Sequence, residues 1–183
     1  NFEVELLKTM NGQLEVDVLM NKQIDVACLH KIRKLLYILM EEAPCALNIS
    51  NIAERIGLSR ATTMNYIKYL KDSRLINLLY LEHKNFPMKP SKVYMHNTNL
   101  ANMNFTRTVS PMDLYETCFY ASIHGSHKVN ATERSAMFIV DNKYYFDVRE
   151  TAPQRDAIRP TAVGEIETGK GNIIPLWILG FLY

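Results

Sequence analysis

The sequence predicts an α+β chain that begins with a winged helix-turn-helix and continues into a small mixed α/β domain. Three observations predict the first part. Residues 49–70 have the pattern of two short helices joined by a tight turn, residues 30–42 have that of an earlier helix, and residues 74–95 have that of two strands separated by a polar loop. Three helices followed by a two-stranded hairpin form a winged helix.

The first elements along the chain are predicted to be helices. Residues 2–10 have helical character, and because the chain begins inside this helix without an initiator methionine, we expect a fragment of a longer protein. Residues 30–42 also have apolar residues at helical spacing, which completes a three-helix core with the two helices that follow. These apolar residues are Ile32, Leu35, Leu36 and Leu39.

The helix-turn-helix has sequence signals at the ends of both helices. Ser50 is a good N-cap for the first helix, with Glu54 in its first turn, and Gly57 can adopt the left-handed conformation that ends it. Ser59 is expected to cap the second helix. The inward stripe of this second helix consists of Thr63, Met64, Ile67 and Leu70.

Basic side chains are expected on the outward face of the second helix and on the wing, the loop between the two strands. Residues 22–95 contain twelve Lys and Arg but only six Asp and Glu, a surplus that the net charge of +2 conceals. Such side chains suit contacts to DNA phosphates, although a lysine-rich wing is also an ordinary solvated loop. The candidate DNA-binding residues are Arg60, Asn65, Lys68, Lys71, Lys84, Lys89 and Lys92.

Composition limits the other classes of protein to consider. A content of 48% hydrophobic and 22% charged residues is typical of globular domains. Residues 173–183 are the most apolar run, but they are too short to cross a membrane and are expected to form a buried tail. The three cysteines match neither a disulfide framework nor a zinc site, and we expect no signal peptide. We therefore expect a cytoplasmic location and no membrane partner.

Motifs along nearly the whole chain resemble those of one family of proteins. In the first half they are Ile52-Ala53, Gly57-Leu58-Ser59-Arg60, Asn65-Tyr66, Leu75-Ile76, Lys92-Val93-Tyr94 and Asn97-Thr98-Asn99-Leu100. In the second half they are residues 112–117, 138–148, 166–177 and 180–183. Together they resemble the C-terminal region of bacterial and archaeal AAA-type ATPases, in particular the Bacteroidetes-type members.

This resemblance implies three parts. Residues 1–21 would be a helical connector from an upstream ATPase domain, residues 22–100 a winged helix domain, and residues 101–183 a degenerate restriction-endonuclease-like domain. The chain has no Gly-x-x-x-x-Gly-Lys-Ser/Thr motif. ATP and magnesium are therefore expected only in the missing upstream domain, with no cofactor in this fragment.

The second half also departs from the nuclease pattern. Metal-binding relatives have an aspartate just before the hairpin phenylalanine, where this chain has Met137, and a lysine where it has Arg149. A thioether does not serve a hard cation, and arginine holds its proton too firmly to exchange it. The vestigial nuclease positions are Glu116, Met137, Asp147 and Arg149. We expect no catalytic residue and no metal, and a metal-dependent nuclease remains the disfavoured alternative.

The remaining polar and aromatic residues predict little chemistry. The histidines are scattered, residues 124–127 are expected in a loop, and residues 149–170 are polar and are expected to form a mobile loop. The tyrosines at 66, 69, 80 and 94 could stack on bases or sugars, but at these spacings most are expected in or beside the core.

The sequence thus predicts a C-terminal region of an AAA-type ATPase that binds double-stranded DNA or a partner and has no catalysis of its own. The alternative is a protein-docking or self-association module that does not bind nucleic acid. A basic face on which Arg60, Lys68, Lys71 and the wing lysines converge would favour DNA.

Overall fold

A computed structural model of the chain describes residues 2–16, 26–103 and 108–181. It is a mixed α+β structure, with a helical first half and a second half built on a sheet. Two sequence predictions lie outside the described residues: the boundary between residues 21 and 22, and the last two residues of the tail, 182–183.

The first half is built from helices that share one core. Met10 and Leu14 of the first helix are buried against the same core as Leu35 and Leu36 of the second, so the first helix packs as part of this half. The helices are α1 (Phe2–Glu15), α2 (Val26–Glu42), α3 (Ile49–Ile56), α4 (Arg60–Asp72) and α5 (Thr98–Asn102). The predicted core residues of α2 are buried, which confirms that part of the prediction.

The ends of α3 and α4 follow from their capping residues. The predicted N-cap Ser50 is wrong: Asn48 is the cap, its side chain accepts from the Asn51 N–H at 3.2 Å, and Ser50 lies inside the helix. Gly57 has φ of 65°, which confirms the left-handed end of α3. Ser59 caps α4 as predicted, because its Oγ accepts from the Thr62 N–H at 3.1 Å.

A two-stranded hairpin follows the helices. Strands β1 (Ile76–Leu79) and β2 (Lys92–Met95) pair antiparallel, with Ile76 opposite Met95. Cys45, in the connection between α2 and α3, forms an antiparallel bridge with Val93 through two backbone hydrogen bonds of 2.9 and 3.2 Å. This bridge adds a third backbone segment beside β2, between the helices and the hairpin.

The second half packs a helix against a five-stranded mixed sheet. The helix α6 (Pro111–Ile123) precedes strands in the order β3–β4–β5–β6–β7, of which β3, β4 and β5 pair antiparallel and β5, β6 and β7 pair parallel. The strands are β3 (Val129–Asn130), β4 (Phe138–Val140), β5 (Tyr144–Arg149), β6 (Thr161–Val163) and β7 (Ile173–Pro175). A 3₁₀ helix, Leu176–Phe181, closes the chain against α6.

Two predictions for the second half need correction. Residues 149–170 do not form one loop throughout, because β6 lies within them and its three residues are all buried between neighbouring strands. The apolar tail is only partly buried. Leu176 and Leu179 are buried in the second core, whereas Trp177 is 54% exposed and Phe181 is 65% exposed.

The two halves meet along a continuous seam. Leu79 and Tyr94, from the hairpin, are buried in the second core with Phe119 and Phe138. The chain just after β1 pairs with the chain just after β3: the Glu82 N–H donates to the Ala131 carbonyl at 3.0 Å, and the Ala131 N–H donates to the Tyr80 carbonyl at 2.8 Å. The hairpin is therefore packed and hydrogen bonded to both halves.

The tyrosine prediction is confirmed at each position, since Tyr66 and Tyr94 are buried and Tyr69 and Tyr80 are half-buried at the core edge.

Among the described residues, no helix has the length and hydropathy that a membrane span requires.

Candidate nucleic-acid interface

A groove separates the first turns of α4 from the wing. It has a volume of about 370 Å³, and its walls carry Arg60, Met64 and Asn65 from α4 and Phe86 and Lys89 from the wing. Arg60, Asn65 and Lys89 are exposed. Ser59 fixes the start of α4, so its cap places Arg60 and Asn65 at the mouth of this groove.

A second and larger cavity, which we call the lysine cleft, lies between the last turns of α4, the wing and the second half. Its volume is about 450 Å³, and Phe86 lines both it and the first groove. Its basic residues are Lys68 and Lys71 of α4, Lys84 of the wing and Lys128 of the second half. The cleft and the groove therefore adjoin at Phe86, and both present basic side chains.

The lysines of this surface differ in how they are engaged. Lys68 forms an ion pair with Asp72, one helical turn away, at 2.8 Å, and its Nζ lies 5.8 Å from the centre of the Phe86 ring. Lys71, Lys84 and Lys89 form no ion pair with any residue that the structure describes. Because a solvated ammonium is free to meet an incoming phosphate, these are the stronger candidates for contact.

Lys92 lies apart from this surface. Its Nζ is 2.5 Å from Oε2 of Glu116, and the same carboxylate oxygen accepts from the Tyr94 hydroxyl at 3.1 Å. Burial, together with this carboxylate, raises the pKa of Tyr94 far above its ordinary value, so the hydroxyl remains a donor. Lys92 thus joins β2 to α6, and the structure does not bring it together with the other six candidates.

The vestigial nuclease positions divide between two sets of contacts, because Glu116 is engaged apart from Met137, Asp147 and Arg149. Glu116 is directed at Lys92 and Tyr94, whereas the Asp147 carboxylate accepts from the Met137 N–H at 3.3 Å and lies 3.5 Å from Nε of Arg159. Arg149 lies with Asp147 at a cavity of about 210 Å³.

Two of these four side chains, Met137 and Arg149, do not suit a divalent metal. Met137 offers a thioether, and its sulfur accepts the Val148 N–H at 3.3 Å. The part of the chain that the structure describes contains no group of three or more His, Cys, Asp or Glu that could hold a metal ion.

The candidate residues predicted from the sequence do not include Lys128 and its neighbours. Lys128, His124 and His127 line the lysine cleft, but in the sequence they follow α6 by a few residues, more than 50 positions after Lys71. Residues 124–127 form the turn after α6, as expected for a loop. The only sequence signal is the local clustering of a lysine with two histidines, which is weak by itself.

Comparison with known proteins gives one result. No curated protein and no solved structure matches the chain. A family model described as "Domain of unknown function (DUF8612)" matches residues 6–108, a stretch that includes the groove and the wing but ends before α6 and Lys128. Since the match covers more than half of the 183 residues, the chain belongs to the family of this domain of unknown function, DUF8612.

Proposed function

We propose that the first half is a winged helix that binds double-stranded DNA, within the C-terminal region of an AAA-type ATPase. In this proposal α4 is the recognition helix, with Arg60 and Asn65 near base edges, and the loop between β1 and β2 is the wing that follows the phosphate backbone. ATP and magnesium would belong to an upstream domain.

The order of elements supports the winged helix. Helices α2, α3 and α4 are followed by the hairpin β1–β2, and Cys45, between α2 and α3 in the sequence, forms an isolated bridge to β2. The connection from α3 to α4 is short, spanning Gly57, Leu58 and Ser59, as a helix-turn-helix requires.

The observation that carries DNA binding is the convergence of the predicted residues. Six of the seven candidates, all but Lys92, line the groove or the adjoining lysine cleft. Among the residues that the structure describes, those that line each cavity include basic side chains and no carboxylate. A basic surface that runs from one end of α4 to the other suits the phosphate contacts that supply most of the affinity for DNA.

For the second half we propose a restriction-endonuclease-like fold that has no catalysis of its own. The antiparallel β3–β4–β5 unit, extended by parallel strands and covered by α6, supports the fold. The separate engagement of Glu116 and Asp147, with Met137 and Arg149 at the two remaining positions, supports the loss of metal chemistry.

The test of DNA binding is fluorescence anisotropy of a labelled duplex at several salt concentrations. Replacing Lys71 and Lys89 together by alanine should weaken binding to every sequence and reduce the slope of log K against log salt by about 1.8, which is about 0.9 for each lost phosphate contact. Arg60→Ala should instead reduce discrimination between duplex sequences.

The matched control replaces two exposed lysines that line neither cavity, Lys8 and Lys170, and should leave affinity and slope unchanged. The proposal would be refuted if the wild type and the two double variants all bound the duplex equally weakly and with the same salt slope.

Protein docking is the second candidate function, and the exposed apolar residues of the 3₁₀ helix favour it. Trp177, Ile178 and Phe181 are 54%, 44% and 65% exposed, and the Trp177 and Phe181 rings contact each other edge to face, with centroids 6.1 Å apart. Sedimentation equilibrium of the wild type and of Trp177→Gln tests self-association through this surface. A concentration-dependent dimer that the substitution abolishes, together with no DNA binding, would favour docking.

A further inference from the structure

The lysine cleft has two walls that come from different halves of the molecule. One wall carries Lys68 and Lys71 of α4 and Lys84 of the wing, and the other carries Lys128, next to β3, with His124 and His127 after α6. The seam between Tyr80 and Ala131 fixes these walls relative to each other, because it consists of backbone hydrogen bonds. The cleft is therefore a formed feature of the fold.

The charges around the cleft favour an anion. Two carboxylates lie beside its walls: Asp72 pairs with Lys68, and Asp141 accepts from His127 Nδ1 at 2.7 Å and from the Lys128 backbone N–H at 2.9 Å. Neither Asp72 nor Asp141 lines the cavity. The ammonium groups of Lys71, Lys84 and Lys128 form no ion pair with a described residue, so the cleft keeps a surplus of positive charge.

Two residues of the cleft have buried polar atoms that lack hydrogen-bond partners. These atoms are the Tyr80 hydroxyl and Asn130 Oδ1. Asn130 is 6% exposed, and its Nδ2 donates to the Tyr80 carbonyl at 3.1 Å. Buried polar groups in folded proteins are nearly always paired. Of these two, the Tyr80 hydroxyl is a donor that a phosphate oxygen can complete, whereas Asn130 Oδ1 is an acceptor that needs a donor such as water. Burial raises the pKa of Tyr80, so its hydroxyl is a donor and suits a phosphate oxygen.

We infer that the lysine cleft binds phosphate groups of the DNA backbone, with Lys128 of the second half acting opposite Lys71 of the recognition helix. The inference rests on the proposed function and extends it, since it assigns the second half a direct part in holding the duplex. A volume of about 450 Å³ is ample for a phosphate and the adjoining sugar. The second half would then act as a clamp on DNA already bound by α4 and the wing.

The deciding experiment compares two substitutions of lysine by glutamine in the full 183-residue chain. Lys128→Gln should weaken binding to a labelled duplex several-fold and reduce the salt slope by about 0.9. Lys170→Gln is the matched control, because Lys170 adjoins β7 at the opposite edge of the sheet from β3, about 19 Å away at the usual strand spacing. It should behave as the wild type.

A second variant separates a binding role from a structural one. Tyr80→Phe removes a hydroxyl that has no partner in the free protein, so the urea midpoint of unfolding should stay the same or rise. The affinity for the duplex should nevertheless fall. A merely structural hydroxyl would not move stability and affinity in opposite directions.

The outcomes distinguish this inference from the proposed function. If the Lys71 and Lys89 double variant loses affinity while Lys128→Gln or Tyr80→Phe binds as the wild type does, the clamp is refuted and the winged helix stands. If the wild type does not bind duplex DNA, both are refuted. A titration with inorganic phosphate at constant ionic strength tests the other source of phosphate. Phosphate binding that depends on Lys128, without any effect of Lys128→Gln on DNA, would assign the cleft to a free anion and overturn the clamp.

Discussion

The buried carboxylate of Glu116 should be one of the most sensitive polar groups in the protein. It is 8% exposed, and its Oε2 accepts from Lys92 Nζ at 2.5 Å and from the Tyr94 hydroxyl at 3.1 Å. Lys92 and Tyr94 belong to β2, whereas Glu116 belongs to α6, so this one oxygen connects the hairpin to the second half. We predict that Glu116→Ala destabilises the fold by about 3 kcal/mol.

The magnitude follows from what each donor can do after the carboxylate is lost. Tyr94 is 1% exposed, so its hydroxyl cannot reach water, and an unpaired buried hydroxyl costs about 1–3 kcal/mol. The side chain of Lys92 is 30% exposed, so its ammonium can turn toward solvent, and the loss there is about 1 kcal/mol. Glu116→Gln keeps an acceptor for both donors and should cost about 1 kcal/mol.

Urea unfolding followed by circular dichroism measures these differences in the free energy of unfolding. In a thermal scan of a chain of this size, about 3 kcal/mol corresponds to a fall in melting temperature of about 6–12 °C. Glu167→Ala, an exposed glutamate of the second half, is the control and should stay within about 0.5 kcal/mol of the wild type. If Glu116→Ala is as stable as this control, the ion pair does not hold the two halves together and the reasoning fails.

Three further predictions concern a turn, a histidine and the vestigial nuclease. Gly57→Ala should destabilise by about 1 kcal/mol because φ is 65°, whereas Gly125→Ala, which meets nothing within 4 Å and has no positive φ, should be neutral or slightly stabilising in urea unfolding. Burial, with the charge of His124 nearby, lowers the pKa of His96 below 6.5, so protonation of His96 opposes folding. The stability of the protein should therefore fall as the pH drops below 6.5. His96→Phe should flatten that part of the pH profile of the melting temperature. Finally, neither magnesium nor manganese should support plasmid nicking, and nicking that Asp147→Ala abolishes would contradict a silent second half.

Much of the first half was predictable because its signals are local. Gly57 and Ser59 are specified by the conformations they favour, and the stripe Thr63, Ile67 and Leu70 by the helical period, so each needs only a few neighbours in sequence. The error at the start of α3 has the same local origin. Asn48 and Ser50 are both competent caps two residues apart, and the burial of Ile49 within the first turn favours the earlier one.

The errors in the second half come from contacts between residues that are distant in sequence. A polar segment such as residues 149–170 reads as loop, yet three of its residues are buried as β6, because parallel pairing with both β5 and β7 satisfies their backbone groups. The sequence groups Lys92, at the start of the second predicted strand, with the DNA-binding candidates, because no nearby residue indicates its partner. Glu116, its partner, lies 24 positions away, and only the packing of α6 on the hairpin brings the two together.

The arrangement of the lysines depends on that same packing. Local signals place Lys71 on the outer face of α4 and Lys84 on the wing, but they carry no information on what faces these residues. The hairpin that forms the wing also contributes Leu79 and Tyr94 to the second core, so it cannot move independently of α6 and β3. The Tyr80 to Ala131 hydrogen bond then sets Lys128 across from Lys71. A rigid seam of this kind is what the clamp proposal requires, because the second half would then hold DNA through the position and charge of Lys128.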